Sequence, residues 1–468
     1  MSCGIDPPHI LVLSTKAQRA PHFVGSTVMG ARMMTSLEPS AAHSHSPMRL
    51  GRRLRRARKH HQKLLRRIDK AVGEENPHKA RSLREKLLKS ADARLVAAAD
   101  SNIKMKRRMR TPAHQLEPMA ADIHAWRPIA DAVTAHAVDK AGWDFRVVMA
   151  FPHKWRATQL LCRRAVEGSI SLDPRQHAYR NGGRDEAVRR VLRELSAGKK
   201  WCAQLDVKEF FRNIDRRRLY QIIPLPREVI DNVVGPPGNI LPGRIGNAIG
   251  PISLVTVSRE GISQGSSLSP LIAEAVVTTV LGDLRSAVSV INYGDNFMLV
   301  ARTKAELKMA KSALTGAFRR SPHGPFRLTD KSGLRRVCDG FEFLGYYFRV
   351  KRGCIHCRPS DEAETKFFTS ALRLMRGIAE RRQPDAAIKL QRSALGWVSA
   401  FSQWDTSEPL FWTGFWLRRV ARQHCAAAFQ IIAELTDVEK ECFLLGAGPL
   451  PVISPPPRIR RSRVEHWD

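Results

Sequence analysis

The chain has 468 residues, with 78 Lys and Arg against 44 Asp and Glu, which gives a formal net charge of +34. At roughly 150 residues per domain, this length predicts two to four domains or lobes. A hydrophobic content of 43% is enough for a core and argues against a wholly disordered chain. No apolar run approaches the ~18 residues of a membrane helix. So large a positive charge indicates a polyanionic partner, first nucleic acid and second an anionic membrane surface.

The N-terminal part of the chain is basic and lacks the pattern of a core domain. Residues 1–50 show no hydrophobic period, which predicts disorder. Residues 51–110 are predicted to form a basic helical arm, since ten of residues 51–70 are Lys or Arg. The apolar residues in this stretch look too few for a core helix: Leu54, Leu64, Leu65 and Ile68. We therefore favour an arm that binds phosphates over a merely solvated helix.

The pattern changes near residue 125 to that of a mixed α/β domain. Residues 125–361 alternate strand-like runs such as CAQLDV, VSVINYGD and FMLVAR with helical runs such as DEAVRRVLREL. Residues 362–430 read as helical, and their Trp and Phe residues are more typical of a core than of a base-stacking surface. Residues 431–468 are predicted to be a C-terminal tail, which is rich in Pro and Arg beyond residue 447.

Cysteine usage favours a reducing compartment. The eight cysteines are scattered without the spacing of a disulfide framework, and no secretory signal is readable, so we expect a cytoplasmic protein. Cys354 and Cys357 have zinc-ligand spacing, but no second pair follows at a suitable distance. We expect ordinary thiols on a hairpin there.

Two aspartates stand where strands end. Asp206 ends the apolar run CAQLDV, and Asp295 lies in a predicted turn between VSVI and FMLVAR. On adjacent strand ends, two carboxylates could hold a pair of Mg²⁺ ions roughly 3.5–4 Å apart for phosphoryl transfer. Between them, Gln264 and Gly265 open a run of small residues that leads into an apolar helix from Ser269. Such a segment lets the backbone approach a base or template strand closely.

The order of strand-Asp, QGSSLSP and YGDN resembles the palm of reverse transcriptases, most closely the bacterial group II intron and retron-like class. The runs AYRNGGRDEAV, LTDKS and FEFLGYYF are similar to that family's fingers, post-turn and primer-contacting segments, so the resemblance covers roughly 175–430. It implies an α/β (α+β) right-hand polymerase with an antiparallel-sheet palm, mixed fingers and a helical thumb. The basic N-terminal arm would be an addition to that hand.

The resemblance also implies roles for individual residues. Asp206 and Asp295 would bind the metal ions, assisted by the Val207 carbonyl and by Asn296, with Mg²⁺ or Mn²⁺ as the cofactor. Phe211 would exclude a ribose 2′-hydroxyl, and Lys331 would neutralise or protonate the leaving pyrophosphate. The remaining expected contacts to nucleotide or template are Gln264, Gly265, Arg180 and Arg184.

One position departs from the family's pattern. The catalytic turn usually ends in two aspartates, and here the second is Asn296. An Asn keeps an oxygen that can coordinate a metal but lacks the negative charge. We therefore predict weaker Mg²⁺ binding or a preference for Mn²⁺, with activity retained.

The leading hypothesis is an RNA-directed DNA polymerase that uses an RNA template, a DNA or RNA primer and dNTPs, and that does not act at a membrane. The alternatives are a catalytically silent, maturase-like RNA-binding protein and an untemplated DNA synthesiser of antiviral defence. An RNA-dependent RNA polymerase is disfavoured by Phe211. The biological setting stays open among intron, retron and antiviral-defence roles.

Overall fold

The computed structural model combines helices with antiparallel sheets. It describes residues 47–105, 109–139, 144–245, 249–282, 284, 288–379, 389, 393, 396, 397, 400 and 401. The helices are α1 (Pro47–Gly73), α2 (Pro77–Lys89), α3 (Ala91–Ile103), α4 (Leu116–Ala121), α5 (His153–Glu167), α6 (Gly183–Ser196), α7 (Phe210–Asn213), α8 (Arg227–Val233), α9 (Pro251–Ser258), α10 (Ser269–Gly282), α11 (Lys304–Arg320) and α12 (Asp361–Ala379). The strands are β1 (Val133–Asp139), β2 (Phe145–Ala150), β3 (Trp201–Val207), β4 (Ile240–Pro242), β5 (Ser289–Tyr293), β6 (Asn296–Ala301), β7 (Leu328–Asp330), β8 (Arg335–Arg336), β9 (Phe341–Phe343), β10 (Tyr346–Lys351) and β11 (Cys354–Pro359).

The central sheet has the strand order β5-β6-β3-β7, and β8 also pairs with β3. All of these pairs are antiparallel. Side chains alternate across β3, so that Leu205 packs under α10 and α11 while Cys202 packs on the opposite side with α6 and β9–β10. The expected mixed fold with an antiparallel palm sheet is confirmed, and both faces of the sheet are buried.

A second sheet is built from β1, β2 and β4. Strands β1 and β2 form an antiparallel hairpin, and β4 pairs with β1 in parallel. Its core is built on Val133, Met149 and the buried Trp155 of α5. The Gly- and Pro-rich stretch after residue 234 contributes the short β4 before α9 begins at Pro251.

The segment predicted to be a basic helical arm contains the helices α1, α2 and α3. The expectation that α1 has too few apolar residues for a core helix is wrong. One side of α1 is buried in the largest hydrophobic cluster of the described residues, together with side chains of α2, α3 and α5. The buried positions of α1 are Ala57, His61, Leu64, Ile68 and Ala71. Their spacing of four, three, four and three residues is that of a packed helical seam, and alanines let the helix backbones come close.

An ion-pair network joins α1, α3 and α5. Asp100 of α3 accepts hydrogen bonds from Arg58 of α1 at 2.9 Å and from Arg164 of α5 at 2.6 Å. The two guanidinium groups lower the pKa of the Asp100 carboxyl although burial alone would raise it. The basic segment is therefore a docked layer with one exposed cationic face.

The hairpin of β9 and β10 turns through Leu344 and Gly345, both with positive φ. Strand β11 carries Cys354 and Cys357. The aromatic residues Trp397 and Phe401 pack near Tyr346, as expected of a core.

The structure describes only part of the predicted helical segment 362–430 and neither of the predicted terminal segments. Helix α12 begins the expected helical thumb, whereas most of residues 380–430 lie outside the described residues. The predicted disorder of residues 1–46 and the tail at 431–468 also lie outside them. In the described parts of the chain, no helix combines the length and the apolar character needed to cross a membrane.

Candidate active site

Two carboxylates meet at the end of the central sheet. Asp206 lies near the end of β3, opposite Asn296 in the register of β3 against β6. Asp295 lies in the two-residue turn between β5 and β6, where Gly294 adopts a φ of +64°. The backbone N–H of Val207 donates to the Asp295 carbonyl at 3.0 Å, which fixes the turn against the end of β3. The predicted hairpin and the predicted adjacency of the two aspartates are both present.

The electrostatics of Asp295 are those of a site for a cation. Burial raises the pKa of the Asp295 carboxyl, and the negative charge of Asp206 raises it further. The positive charges of Lys331 and Arg146 act in the opposite direction. A divalent cation between the two carboxylates would relieve both the burial penalty and the repulsion.

Lys331 lies at the centre of a short chain of polar contacts. Its ammonium is 3.1 Å from Asp206 Oδ1 and donates to Asn296 Oδ1 at 3.1 Å. The Asn296 amide in turn donates to Asp295 Oδ1 at 3.0 Å. The backbone of the lysine is anchored on β3, because its N–H donates to the Gln204 carbonyl at 2.9 Å. This residue is therefore joined to both carboxylates, directly to one and through Asn296 to the other.

The metal-binding atoms available here are oxygens. The carboxylates of Asp206 and Asp295, the Asn296 side-chain oxygen and the Val207 carbonyl are hard donors of the kind that Mg²⁺ prefers. Among the residues that the structure describes, no cluster of three or more His, Cys, Asp or Glu side chains could hold a metal ion. The donor set thus fits Mg²⁺ or Mn²⁺ in type but carries the charge of only two carboxylates.

A cleft brings together Phe211 of α7, Gln264 and Arg146 of β2, and the charge of Arg146 acts on Asp295. Phe211 is half-buried and meets Phe210 edge to face, with ring centroids 6.1 Å apart. The Gln264 carbonyl accepts from the Met149 N–H at 2.7 Å. Arg146 was not predicted from the sequence, where its signal is a cation within the strand-like run FRVVMA.

Gly265 is required by this close approach. It has a φ of +108°, and a Cβ at this position would lie 2.3 Å from the Met149 carbonyl oxygen. A side chain would therefore push the segment away from β2 and widen the cleft. This close approach is to β2, and the predicted approach of Gly265 to a base or template strand stays a prediction.

Arg180 and Arg184 have partners elsewhere in the fold. The Arg180 guanidinium donates to the backbone carbonyls of Glu167 and Ile170. That of Arg184 stacks over the rings of Tyr346 and Phe401, at 5.3 and 4.8 Å from their centroids. These contacts give both arginines a structural role, and their contact with nucleotide stays a prediction.

Comparisons with known proteins identify the class of this domain. Residues 138–348 match the family model described as reverse transcriptase (RNA-dependent DNA polymerase). No curated protein matches the sequence.

Two solved structures show distant similarity, each at 13% identity and each matched over 56% of its own length. One is apo telomerase from Candida tropicalis, truncated from its C-terminal domain, with a TM-score of 0.34 over 50% of this chain. The other is the Sicinivirus 3Dpol RNA-dependent RNA polymerase, with a TM-score of 0.30 over 53% of this chain. The residues matched by the reverse transcriptase family model, 138–348, include Asp206, Phe211, Gln264 and Asp295.

Proposed function

We propose that this protein is an RNA-directed DNA polymerase that extends a primer with deoxynucleotides on an RNA template. The observation that carries the proposal is the register of β3 against β6, which aligns Asp206 with Asn296 and brings Asp295 beside it. The reverse transcriptase match supports the class of reaction. The exposed cationic face of α1 supports a nucleic-acid partner.

Mg²⁺, or Mn²⁺ in its stead, is the proposed cofactor, held by the oxygens of Asp206, Asp295, Val207 and Asn296. When bound, such ions activate the primer 3′-hydroxyl and stabilise the charge of the leaving pyrophosphate. The protein contributes geometry: the turn of β5 and β6 and the end of β3 hold the two carboxylates on one side of the reacting phosphate. This positioning supplies much of the catalysis in phosphoryl transfer.

The other site residues act on the nucleotide. Phe211 presents a ring to the sugar, and Gln264 with Gly265 forms the wall that faces the base pair. Arg146 adds a positive charge beside Asp295, where a triphosphate needs one. Lys331 holds a proton on Nζ next to Asp206 and can donate it to the departing pyrophosphate.

A specific observation favours a second candidate, a catalytically silent RNA-binding protein. Asn296 removes one carboxylate, and the Lys331 ammonium already neutralises Asp206. Both features weaken the attraction for a divalent cation. RNA binding through the basic surface would survive such a loss.

Primer extension on an RNA template tests the proposal. The assay compares dNTPs with NTPs in Mg²⁺ or Mn²⁺, and it uses Asp295→Ala as the inactive variant and the exposed Asp339→Ala as the charge-matched control. We expect DNA of template length from the wild type and the control and none from Asp295→Ala. Tight RNA binding without product under either metal would favour the silent protein. Heterogeneous product that ignores the template would favour an untemplated synthesiser.

A further inference from the structure

A cluster of four polar side chains, three of them buried, lies directly behind the turn that carries Asp295. We call it the turn-backing cluster, and it consists of Gln176, Glu274, Thr278 and Asn292. Gln176 and Asn292 are fully buried, and Glu274 is only 3% exposed. None of the roles proposed above uses these side chains.

Glu274 of α10 is tied to the segment before α6. The Gln176 amide donates to Glu274 Oε2 at 2.8 Å and to the Glu274 carbonyl at 2.9 Å. The Gln176 oxygen accepts from the Thr278 hydroxyl at 2.7 Å, and from the backbone N–H of Asp173 at 2.9 Å. Gln176 thus uses both ends of its amide to join α10 to this segment.

The same cluster reaches the turn through Asn292. Its amide donates to the carbonyls of Gly294 and Asn296, at 2.9 and 3.2 Å. Its backbone is bonded to the segment before α6, because the His177 N–H donates to the Asn292 carbonyl at 3.0 Å and the Asn292 N–H to that of Arg175 at 2.9 Å. The turn is therefore held from behind by backbone and side-chain bonds.

Burying the Glu274 carboxylate at this position is energetically unfavourable. Burial raises the pKa of Glu274 to about 7, more than the Gln176 amide and the Gly294 N–H lower it. An apolar side chain of similar size would avoid that penalty. What an apolar side chain could not do is accept a hydrogen bond from the Gln176 amide and place an oxygen near the Gly294 N–H.

We propose that Glu274 is a positioning residue for the polymerase reaction: by accepting from Gln176 and facing the Gly294 N–H, it holds the Tyr293–Asn296 turn so that Asp295 faces Asp206. The inference rests on the proposed function for its kinetic consequence. Its structural consequence, a turn held in place by Glu274, is independent of that function.

The test compares Glu274→Leu, which removes both acceptor oxygens, with Glu274→Gln, which keeps one. We expect kcat for primer extension to fall about 10- to 100-fold in Glu274→Leu, because small displacements of a reacting group have effects of this size. Glu274→Gln should show a smaller fall in kcat. The KM for dNTP should stay within about twofold in both variants, since the nucleotide cleft is untouched.

Hydrogen exchange supplies a readout that does not need activity. The backbone amides of the β5–β6 turn should exchange faster in Glu274→Leu than in the wild type. The matched control is Glu194→Leu, because Glu194 is similarly buried at 7% exposure and pairs with Lys199 at 2.7 Å near the other end of β5. That control should lower the thermal stability but leave both kcat and turn exchange unchanged.

The possible results distinguish the inference about Glu274 from the proposed function. Wild-type kcat and wild-type turn exchange in both Glu274 variants would overturn the inference. A wild type that extends no primer would instead remove the proposed function, and the exchange comparison would still decide whether Glu274 holds the turn. If Glu274→Leu fails to fold, Glu274→Gln carries the test, and an unchanged kcat and exchange in it overturn the inference.

Discussion

The ammonium of Lys331 lies 3.1 Å from Oδ1 of Asp206 and makes its second contact with Asn296. In the proposed function, the lysine would compete with a metal ion for one of the two carboxylates and would also donate a proton to the leaving group. These two effects have opposite consequences for activity, and substitutions can separate them.

Asn296→Asp should strengthen metal binding, because it restores a carboxylate beside Asp295. We expect the Mg²⁺ concentration for half-maximal activity to fall by roughly tenfold, equivalent to about 1.4 kcal/mol of added attraction. Metal titrations of primer extension in Mg²⁺ and in Mn²⁺ measure this shift. The exposed Asn239→Asp is the control for a general change in charge. Coincident profiles for the wild type and Asn296→Asp would contradict the idea that this position limits metal affinity.

Lys331→Met should separate the two effects of the lysine. Loss of the ammonium frees Asp206, so less metal should be needed for half-maximal activity. Loss of the proton donor should lower kcat about 100-fold, the lower end of what general acid catalysis contributes. Kinetics at saturating and limiting Mg²⁺ measure both, with the exposed Lys308→Met as control. An unchanged kcat would show that Lys331 does not take part in the chemical step.

Phe211→Ala should weaken the selection of deoxynucleotides. The ring lines the cleft together with Gln264 and Arg146, and its removal makes room for a 2′-hydroxyl. We expect the ratio of kcat/KM for dNTP to that for NTP to fall by at least about tenfold. Single-nucleotide incorporation assays measure this ratio, with Phe211→Tyr retaining the bulk and the exposed Tyr220→Ala as control. A ratio unchanged in Phe211→Ala would remove the role of this ring.

Much of the palm could be predicted from local pattern. The strands that carry Asp206 and Asp295 are short apolar runs, and the Gly-Asp turn between two of them has few alternative structures. The apolar helix α10 after Gly265 is equally clear. These features depend on residues that are neighbours in the sequence, so the local sequence pattern was enough to predict them.

The features that were not predicted from the sequence depend on tertiary contacts. The seam of α1 is hidden in the sequence because two of its positions are alanines and one is His61, between many cations. Its burial depends on packing against α2 and α3, which is a tertiary contact and not part of the local sequence pattern. The contact of Gln176 with Glu274 spans 98 residues, and no local pattern marks either residue. Contacts between residues that are far apart in the sequence determine these features. The pattern of neighbouring residues in one sequence does not indicate such contacts.

Neutralising the exposed face of α1 should reduce the salt dependence of RNA binding. Replacing Arg55, Lys59, Lys63 and Arg66 by Gln removes four exposed charges from one side of the helix. The slope of log K against log salt should become shallower by about 1 to 3, at roughly 0.7 to 0.9 per phosphate contact. Binding isotherms at several salt concentrations measure the slope.

The control for this prediction is Arg58→Gln on the same helix. Arg58 binds Asp100, so its loss should lower stability and leave the slope nearly unchanged. Deleting the whole segment would be a poorer test, because α1–α3 form part of the core. An unchanged slope after the four substitutions would mean that RNA binds elsewhere.

His61 should make the fold less stable in mild acid. Burial, aided by the positive charge of Arg164, lowers the pKa of this imidazole to about 4, and its Nε2 has no hydrogen-bond partner among the described residues. Between the unfolded pKa of about 6.5 and the folded pKa, only the unfolded chain binds the proton. The stability is therefore lost as the pH falls through this window.

The size of the loss can be measured by difference. Lowering the pH from about 7.5 to about 5 should remove up to about 2 kcal/mol of unfolding free energy through His61. In His61→Leu this contribution is absent, so its thermal or urea unfolding should depend less on pH than that of the wild type. Glu274 acts in the opposite sense over the same window, because its folded pKa is raised, but it does so in both proteins and cancels. The exposed His78→Leu is the control, and an equal pH dependence in His61→Leu and the wild type would show that His61 is protonated in the folded state.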